Sequence, residues 1–109
     1  MSAFTCEIVL RARNEILEAW EWYEDRQVGL GDRFIIQLNS KINQIIQSPI
    51  RYPEKKQHFR EARTEIFPYL LIYKISNRKK VITIISVFHM SRNPKIKYSG
   101  ISGNKRRKN

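Results

Sequence analysis

Residues 59–94, FREARTEIFPYLLIYKISNRKKVITIISVFHMSRNP, decide the fold. They predict three successive strands. A basic lead-in closes at Phe67-Pro68, an apolar run covers residues 69–75, a turn falls at Ser76-Asn77-Arg78, and a second run covers residues 81–88. Val, Ile, Tyr, Phe and Thr dominate both runs, as a packed pleated surface prefers. Strict alternation puts Leu70 and Ile72 on one face of their strand, with Tyr69, Leu71, Tyr73 and Ile75 on the other. In the next strand it sets Ile82, Ile84 and Phe88 against Val81, Ile85 and Val87. Strands that are apolar on both faces are usually central ones. The last run stops at His89-Met90-Ser91-Arg92-Asn93-Pro94, a polar group held at the edge of a stiff sheet, and function is expected there.

Upstream, residues 4–10 read as a first strand, with Phe4, Cys6 and Ile8 facing one way. Arg11 to Asn14 form a lead-in to a helix over residues 15–27, on which Ile16, Ala19, Trp20 and Tyr23 recur at helical spacing. Such an aromatic stripe is read as core and not as a base-stacking platform. Gly29 stops this helix, and Gly31-Asp32 opens a second that runs to about Gln47 on Ile35, Leu38, Ile42 and Ile45. Two amphipathic helices with so short a link form an αα-hairpin. Ser48-Pro49 ends it, and residues 50–58 cross to the sheet as a loop. The order is β-α-α-β-β-β, an α+β fold in which a helical hairpin packs on an antiparallel sheet whose last three strands form a meander. Residues 1–95 are expected to be one domain. Residues 96–109, with no carboxylate and the basic run Lys105 to Lys108, are expected to be a partly disordered basic tail.

The composition narrows the chemistry. A chain of 109 residues and 13.1 kDa suffices for one modest core. Its apolar runs fall far short of the roughly 20 residues that span a bilayer. The single cysteine, Cys6, forms no intramolecular disulfide and fits a reducing, cytoplasmic setting as a small core residue. Net charge is +11, unevenly placed: residues 1–54 carry six basic and eight acidic side chains, residues 55–109 fifteen basic against Glu61 and Glu65. That asymmetry points to a polyanionic or acidic partner.

Two histidines 31 positions apart and one cysteine give no metal-ligand spacing, so no metal or cofactor is expected. Four scattered glycines make no phosphate-cradling loop. Neither Ser48 nor Ser91 has an obvious base beside it in sequence. What remains is cationic and aromatic: Arg60, Arg63, Tyr73, His89 and Arg92, with Lys55 and Lys56 nearby. Metal-free RNA cleavage needs a base for the 2′-hydroxyl, an acid for the leaving oxygen and cations for the phosphate. Histidine suits the proton transfer, Arg63 and Arg92 suit the phosphate, and Glu54 or Tyr73 is a candidate second proton-transfer group. The plainer readings stand beside these: a capping histidine, and Arg63 paired with Glu61 or Glu65.

The residues also carry a resemblance. The N-terminal strand, the helical hairpin with Gly-Asp-Arg-Phe at 31–34, Ser48-Pro49 through Tyr52-Pro53, Arg63, Phe67-Pro68-Tyr69 with Tyr73, and Val87-x-His89-x-x-Arg92-x-Pro94 together resemble the RelE/ParE superfamily of bacterial type II toxins, the plasmid-stabilisation type. The resemblance spans roughly residues 4–95. It implies a small, basic, cytoplasmic protein that inhibits growth and is neutralised by a cognate acidic antitoxin. RelE-like members cut messenger RNA on the ribosome without metal, for which His89, Arg63 and Arg92 would be the catalytic set. ParE-like members bind DNA gyrase. Lys55, Lys56, Arg60 and Tyr73 would then contact target or phosphate. Met90 stands where many ribonuclease members carry tyrosine, and the His-x-x-Arg-x-Pro ending is closer to ParE. The expected function is therefore a ParE-like inhibitor that binds and does not catalyse. The alternatives are a RelE-like endoribonuclease and a non-catalytic basic nucleic-acid-binding domain.

Overall fold

The computed structural model describes residues 3–98. Strand β1 (Thr5–Ile8) leads into helices α1 (Leu10–Arg26) and α2 (Leu30–Gln47), and a 3₁₀ turn (Pro49–Arg51) follows. Strands β2 (Arg60–Arg63), β3 (Tyr69–Ser76) and β4 (Val81–His89) come next, then a second 3₁₀ turn (Pro94–Ile96). The sheet order is β1-β4-β3-β2, so the two long apolar strands are central, as their two-faced apolar character requires.

The expected meander is present: β2 pairs with β3, and β3 with β4, both antiparallel. The sheet as a whole is mixed and not purely antiparallel, because β1 runs parallel to β4. The hairpin of helices carries the chain from β1 to β2 at the opposite edge of the sheet, and the meander then brings β4 back alongside β1. Helix α1 starts at Leu10, earlier than the helical period suggests. Val9 makes the last rung, its N–H donating to the Ile84 carbonyl at 3.1 Å, and Arg13 N–H already bonds back to Val9 O at 3.0 Å. Leu10, Arg11, Ala12 and Arg13 all favour helix, and Ala12 is fully buried.

The hairpin closes tightly. A Cβ on Gly31 would meet the Trp20 carbonyl oxygen at 2.7 Å and the Glu24 carboxylate at 2.9 Å, so only glycine lets the helices approach this closely. That carboxylate accepts the Gly29 and Gly31 N–H groups at 2.8 and 2.9 Å, satisfying donors at the start of α2. Trp20 Nε1–H donates to Asp32 at 3.0 Å. The Gly-Asp-Arg-Phe sequence thus has a physical reason at three of its positions: close approach, indole acceptor, and Phe34 as a core ring.

The main core lies between the helices and one face of the sheet, with Phe34, Leu38 and Ile45 against Leu71, Tyr73, Ile82, Ile84 and Val87. A smaller cluster on the opposite face holds Phe59, Ile72, Ile85 and Phe88, with Tyr98 packed against it. The expected faces of β3 hold. Those of β4 hold through Ile85 and then invert: Val87 joins the helix side and Phe88 the other. The pairing steps from Ile72–Ser86 to Tyr73–Ile84, leaving Ile85 without a counterpart, and this bulge inverts the later side chains. Lys97 and Tyr98, assigned by the sequence to the tail, lie on that second face. Tyr98 stacks on Phe59 (5.5 Å between centroids) and its hydroxyl bonds Glu61, and Lys97 Nζ reaches Glu61 at 3.1 Å. The basic run 105–108 lies outside the described residues.

Lys41, on α2, is almost wholly buried yet satisfied: its ammonium donates to Glu65 at 2.9 Å, Gln44 at 3.0 Å and the Tyr52 hydroxyl at 3.4 Å. Burial works against its charge, but the bonds to Glu65 and Tyr52 outweigh it and hold the ammonium above its ordinary range. The same hydrogen bond and charge hold the Glu65 carboxyl below its own. A raised lysine contributes stability below the unfolded value of 10.5, lost as pH rises through the folded value. A lowered glutamate contributes above 4.5, lost as pH falls through its folded value. The pair is therefore fully effective between those limits. Thermal melts at neutral pH and about pH 3 should show a smaller acid-induced fall in Tm for Lys41→Met than for the wild type. An equal fall would mean that other groups carry the acid sensitivity.

Candidate functional site

At the C-terminal end of β4, beyond the reach of β1, the strand has an uncovered edge that faces α1. A cleft of about 540 Å³ opens there. Glu15, Glu18 and Trp22 line it from α1, Tyr69 from β3, and His89, Ser91 and Arg92 from β4 and the turn after it. Glu15 organises this edge. One carboxylate oxygen accepts both the Ser86 hydroxyl and the Val87 N–H, each at 2.8 Å, and the other faces Arg11 and Arg92 at 3.4 Å. A helix side chain thus supplies the acceptor that a longer β1 would have supplied to Val87.

His89 sits opposite Tyr69 and packs edge-on to its ring, centroids 4.9 Å apart. Its Nδ1 accepts the Ser91 N–H at 3.0 Å and lies 2.8 Å from the Ser91 hydroxyl. The serine that the sequence leaves without a neighbour of this kind therefore lies within hydrogen-bond distance of an imidazole nitrogen. Arg92 is half-exposed, its guanidinium lying over the Phe88 ring at 5.0 Å and reaching Glu15. His89 and Arg92 are brought together in the cleft.

Arg63 is not part of this cleft. Its partner across β3 is Leu70, which pairs with Phe88, so Arg63 projects from the face away from the helices. His89 pairs with Tyr69, a residue of the helix-side core. The two candidates lie on opposite faces. Arg63 is exposed and, among the described residues, makes no ion pair: Glu65 serves Lys41 and Glu61 serves Lys97.

Tyr73 is fully buried in the core, its hydroxyl donating to the Pro49 carbonyl at 2.6 Å, and burial pushes its pKa up to about 12. Arg60 is mostly covered, donating to the Tyr52 carbonyl and pairing with Glu54 at 3.6 Å. Both tie the loop before β2 to the body of the fold. Lys55 and Lys56 are exposed on a tight turn closed by Lys55 N–H to Phe59 O at 2.7 Å. The turn holds Gln57 and His58 in the left-handed region, at φ 55° and 69°, a strain ordinary residues rarely carry. Glu54 accepts from His58 Nδ1 or pairs with it at 3.3 Å, away from the cleft. Among the described residues no cluster of His, Cys, Asp or Glu is arranged to hold a metal ion, and no helix is long and apolar enough to cross a membrane.

Sequence reasoning missed Glu15, Trp22 and the Ser91 hydroxyl as parts of one site. Glu15 carries no local signal, since its partners Ser86, Val87 and Arg92 are 71–77 positions away. Ser91 did carry one, a histidine two positions before it.

Solved structures share this architecture. A chain of the chromosomal ParDE toxin–antitoxin system from P. aeruginosa matches with a TM-score of 0.71 at 11% identity, over 81% of this chain and 97% of that one. A chain of the intact E. coli RelBE toxin–antitoxin complex matches at 0.59 and 24%, over 83% and 100%. The isolated E. coli RelE toxin matches at 0.58 and 21%, over 89% and 95%. At these identities the likeness is one of fold. No curated protein sequence matches the chain. The family model for the ParE toxin of the type II toxin–antitoxin system, parDE, aligns with residues 7–94, from the first strand through the His-x-x-Arg-x-Pro ending, and the chain belongs to that toxin family.

Proposed function

We propose that this toxin arrests growth by binding a protein target, DNA gyrase, without cutting RNA, and that an acidic antitoxin neutralises it. The observation that carries the reading is the separation of Arg63 from His89 by the thickness of the sheet. Cleavage without metal needs the proton-transfer group and the phosphate-gripping cation within reach of one scissile phosphate. Here Arg63 and His89 face different solvent, and the cation that shares the cleft with His89, Arg92, is paired with Glu15 at 3.4 Å. Tyr73, a candidate second proton-transfer group, is sealed in the core and bonded to Pro49. A binding mode asks only for a rigid, charged surface. The cationic half, carrying fifteen of the 21 basic side chains, suits an acidic antitoxin segment through charge complementarity.

A second reading, ribosome-dependent mRNA cleavage, draws on Arg63, exposed and in no ion pair among the described residues, and on Lys55 and Lys56 in their strained turn. Purified protein separates the two. Gyrase supercoiling should be inhibited while mRNA on programmed ribosomes stays intact. Ribosomal mRNA cleavage that disappears in Arg63→Ala or His89→Ala would replace the first reading with the second. Co-expression with a small acidic partner encoded alongside should restore growth; unrelieved arrest would overturn the antitoxin assignment.

A further inference from the structure

The Ser91–His89 pair is not used by a toxin that acts through binding, and its geometry is that of a nucleophile beside its base. The Ser91 N–H is an obligate donor and lies 3.0 Å from His89 Nδ1, so that nitrogen is the unprotonated acceptor and the imidazole proton sits on Nε2. The hydroxyl, 2.8 Å from the same Nδ1, donates to it by sharing that nitrogen's one lone pair with the N–H. Its oxygen lone pairs are left directed away from the ring, and Ser91 is exposed. The base cannot swing away. It is the last residue of a central strand, paired with Tyr69 and packed edge-on against that ring at 4.9 Å. Arg92 lines the same cleft, its guanidinium 3.4 Å from Glu15. Other hydroxyls of the fold are differently engaged: Ser86 donates to Glu15, and Thr64 bonds backbone carbonyls.

We propose that Ser91 is a covalent modification site, an activated hydroxyl that accepts a phosphoryl group from a donor bearing a good leaving group. Ser91 Oγ attacks phosphorus, an O–P bond forms, the bond from phosphorus to the leaving group breaks with its electron pair departing on that group, and the hydroxyl proton passes to His89 Nδ1, whose hydrogen bond from the Ser91 N–H is given up as it takes the proton. Arg92 faces the negative charge that develops on the phosphoryl oxygens. The added group would stand among Glu15, Glu18 and Arg92, competing with Glu15 for the guanidinium now 3.4 Å from it. Modification would therefore add negative charge to the cleft and weaken the Arg92–Glu15 pair.

Diisopropyl fluorophosphate tests the activation directly, with fluoride as the leaving group. The full chain is incubated with the reagent and mapped by peptide mass spectrometry. A single adduct on Ser91 is expected, with Ser40, exposed on α2, unlabelled as the internal comparison. Ser91→Ala should remove the adduct. His89→Gln should slow labelling by about a hundredfold, the lower range of general-base assistance, with its melting temperature recorded to show that it is folded. Equal labelling of Ser91 and Ser40 in the wild type would overturn the proposal without reference to any variant. So would a folded His89→Gln that labels at the wild-type rate.

Discussion

Truncating Phe34 to alanine is expected to cost about 3–5 kcal/mol of folding stability, the largest single-residue effect in the molecule. The ring is wholly removed from solvent. It lies 5.5 Å from Tyr23, 5.5 Å from Phe67 and 5.0 Å from Tyr69, centroid to centroid, so one side chain joins α2 to α1, to the β2–β3 connection and to β3. Each such aromatic pair adds about 0.5–1.5 kcal/mol beyond the area it buries. These neighbours are parts of three separate elements and cannot all collapse into the space left behind. Against a total stability of about 5–15 kcal/mol for a domain of this kind, the loss should show as a large fall in the urea midpoint. Phe34→Leu, which keeps most of the volume, should lose much less. A fall below about 1 kcal/mol for the alanine variant would mean that the hairpin repacks, contrary to the close approach fixed at Gly31. The site would feel the change too, because Tyr69 is the ring against which His89 rests.

Replacing Glu15 with alanine should rank next, at about 2–4 kcal/mol. The carboxylate is the acceptor for the Val87 N–H and for the fully buried Ser86, and an orphaned buried donor costs about 1–3 kcal/mol. It also faces Arg11 and Arg92, so its removal leaves two guanidinium groups without this counter-charge. Glu15→Gln keeps an acceptor oxygen but not the charge and should fall between the alanine variant and the wild type. Hydrogen exchange gives the local readout. Protection of the Val87 amide should drop in Glu15→Ala more than that of Leu71 on the neighbouring strand. Undiminished protection at Val87 would show that solvent or another group replaces the carboxylate.

Most of the fold was legible in runs of residues. The two central strands announced themselves by being apolar on both faces, and the helices by repeats such as Leu38, Ile42 and Ile45, all three now buried against the sheet. Local chemistry is enough for this, because a segment must place its apolar side chains on one face or two before any partner is chosen. Three features were not legible. The parallel pairing of β1 with β4 depends on the path of the crossover. The start of α1 at Leu10 depends on where the ladder to β4 ends, a boundary that propensity leaves open. The bulge at Ile85 turns Val87 to the helix side and Phe88 to the opposite buried face, against the strict alternation the sequence suggests, because one unpaired residue shifts all that follow.

The sequence by itself determined the element order, the two-faced central strands, the concentration of positive charge in the second half and the family to which the pattern is similar. Each of these is a property of neighbours along the chain or of a summed composition. Only the tertiary structure decided which candidate residues could act together. It put Arg63 and His89 on opposite faces, sealed Tyr73 in the core, and made Glu15 the partner of a strand edge more than 70 positions away. The physical reason is that side-chain convergence depends on strand register and helix placement. Those are fixed by packing over the whole molecule, and a shift of one residue reverses them.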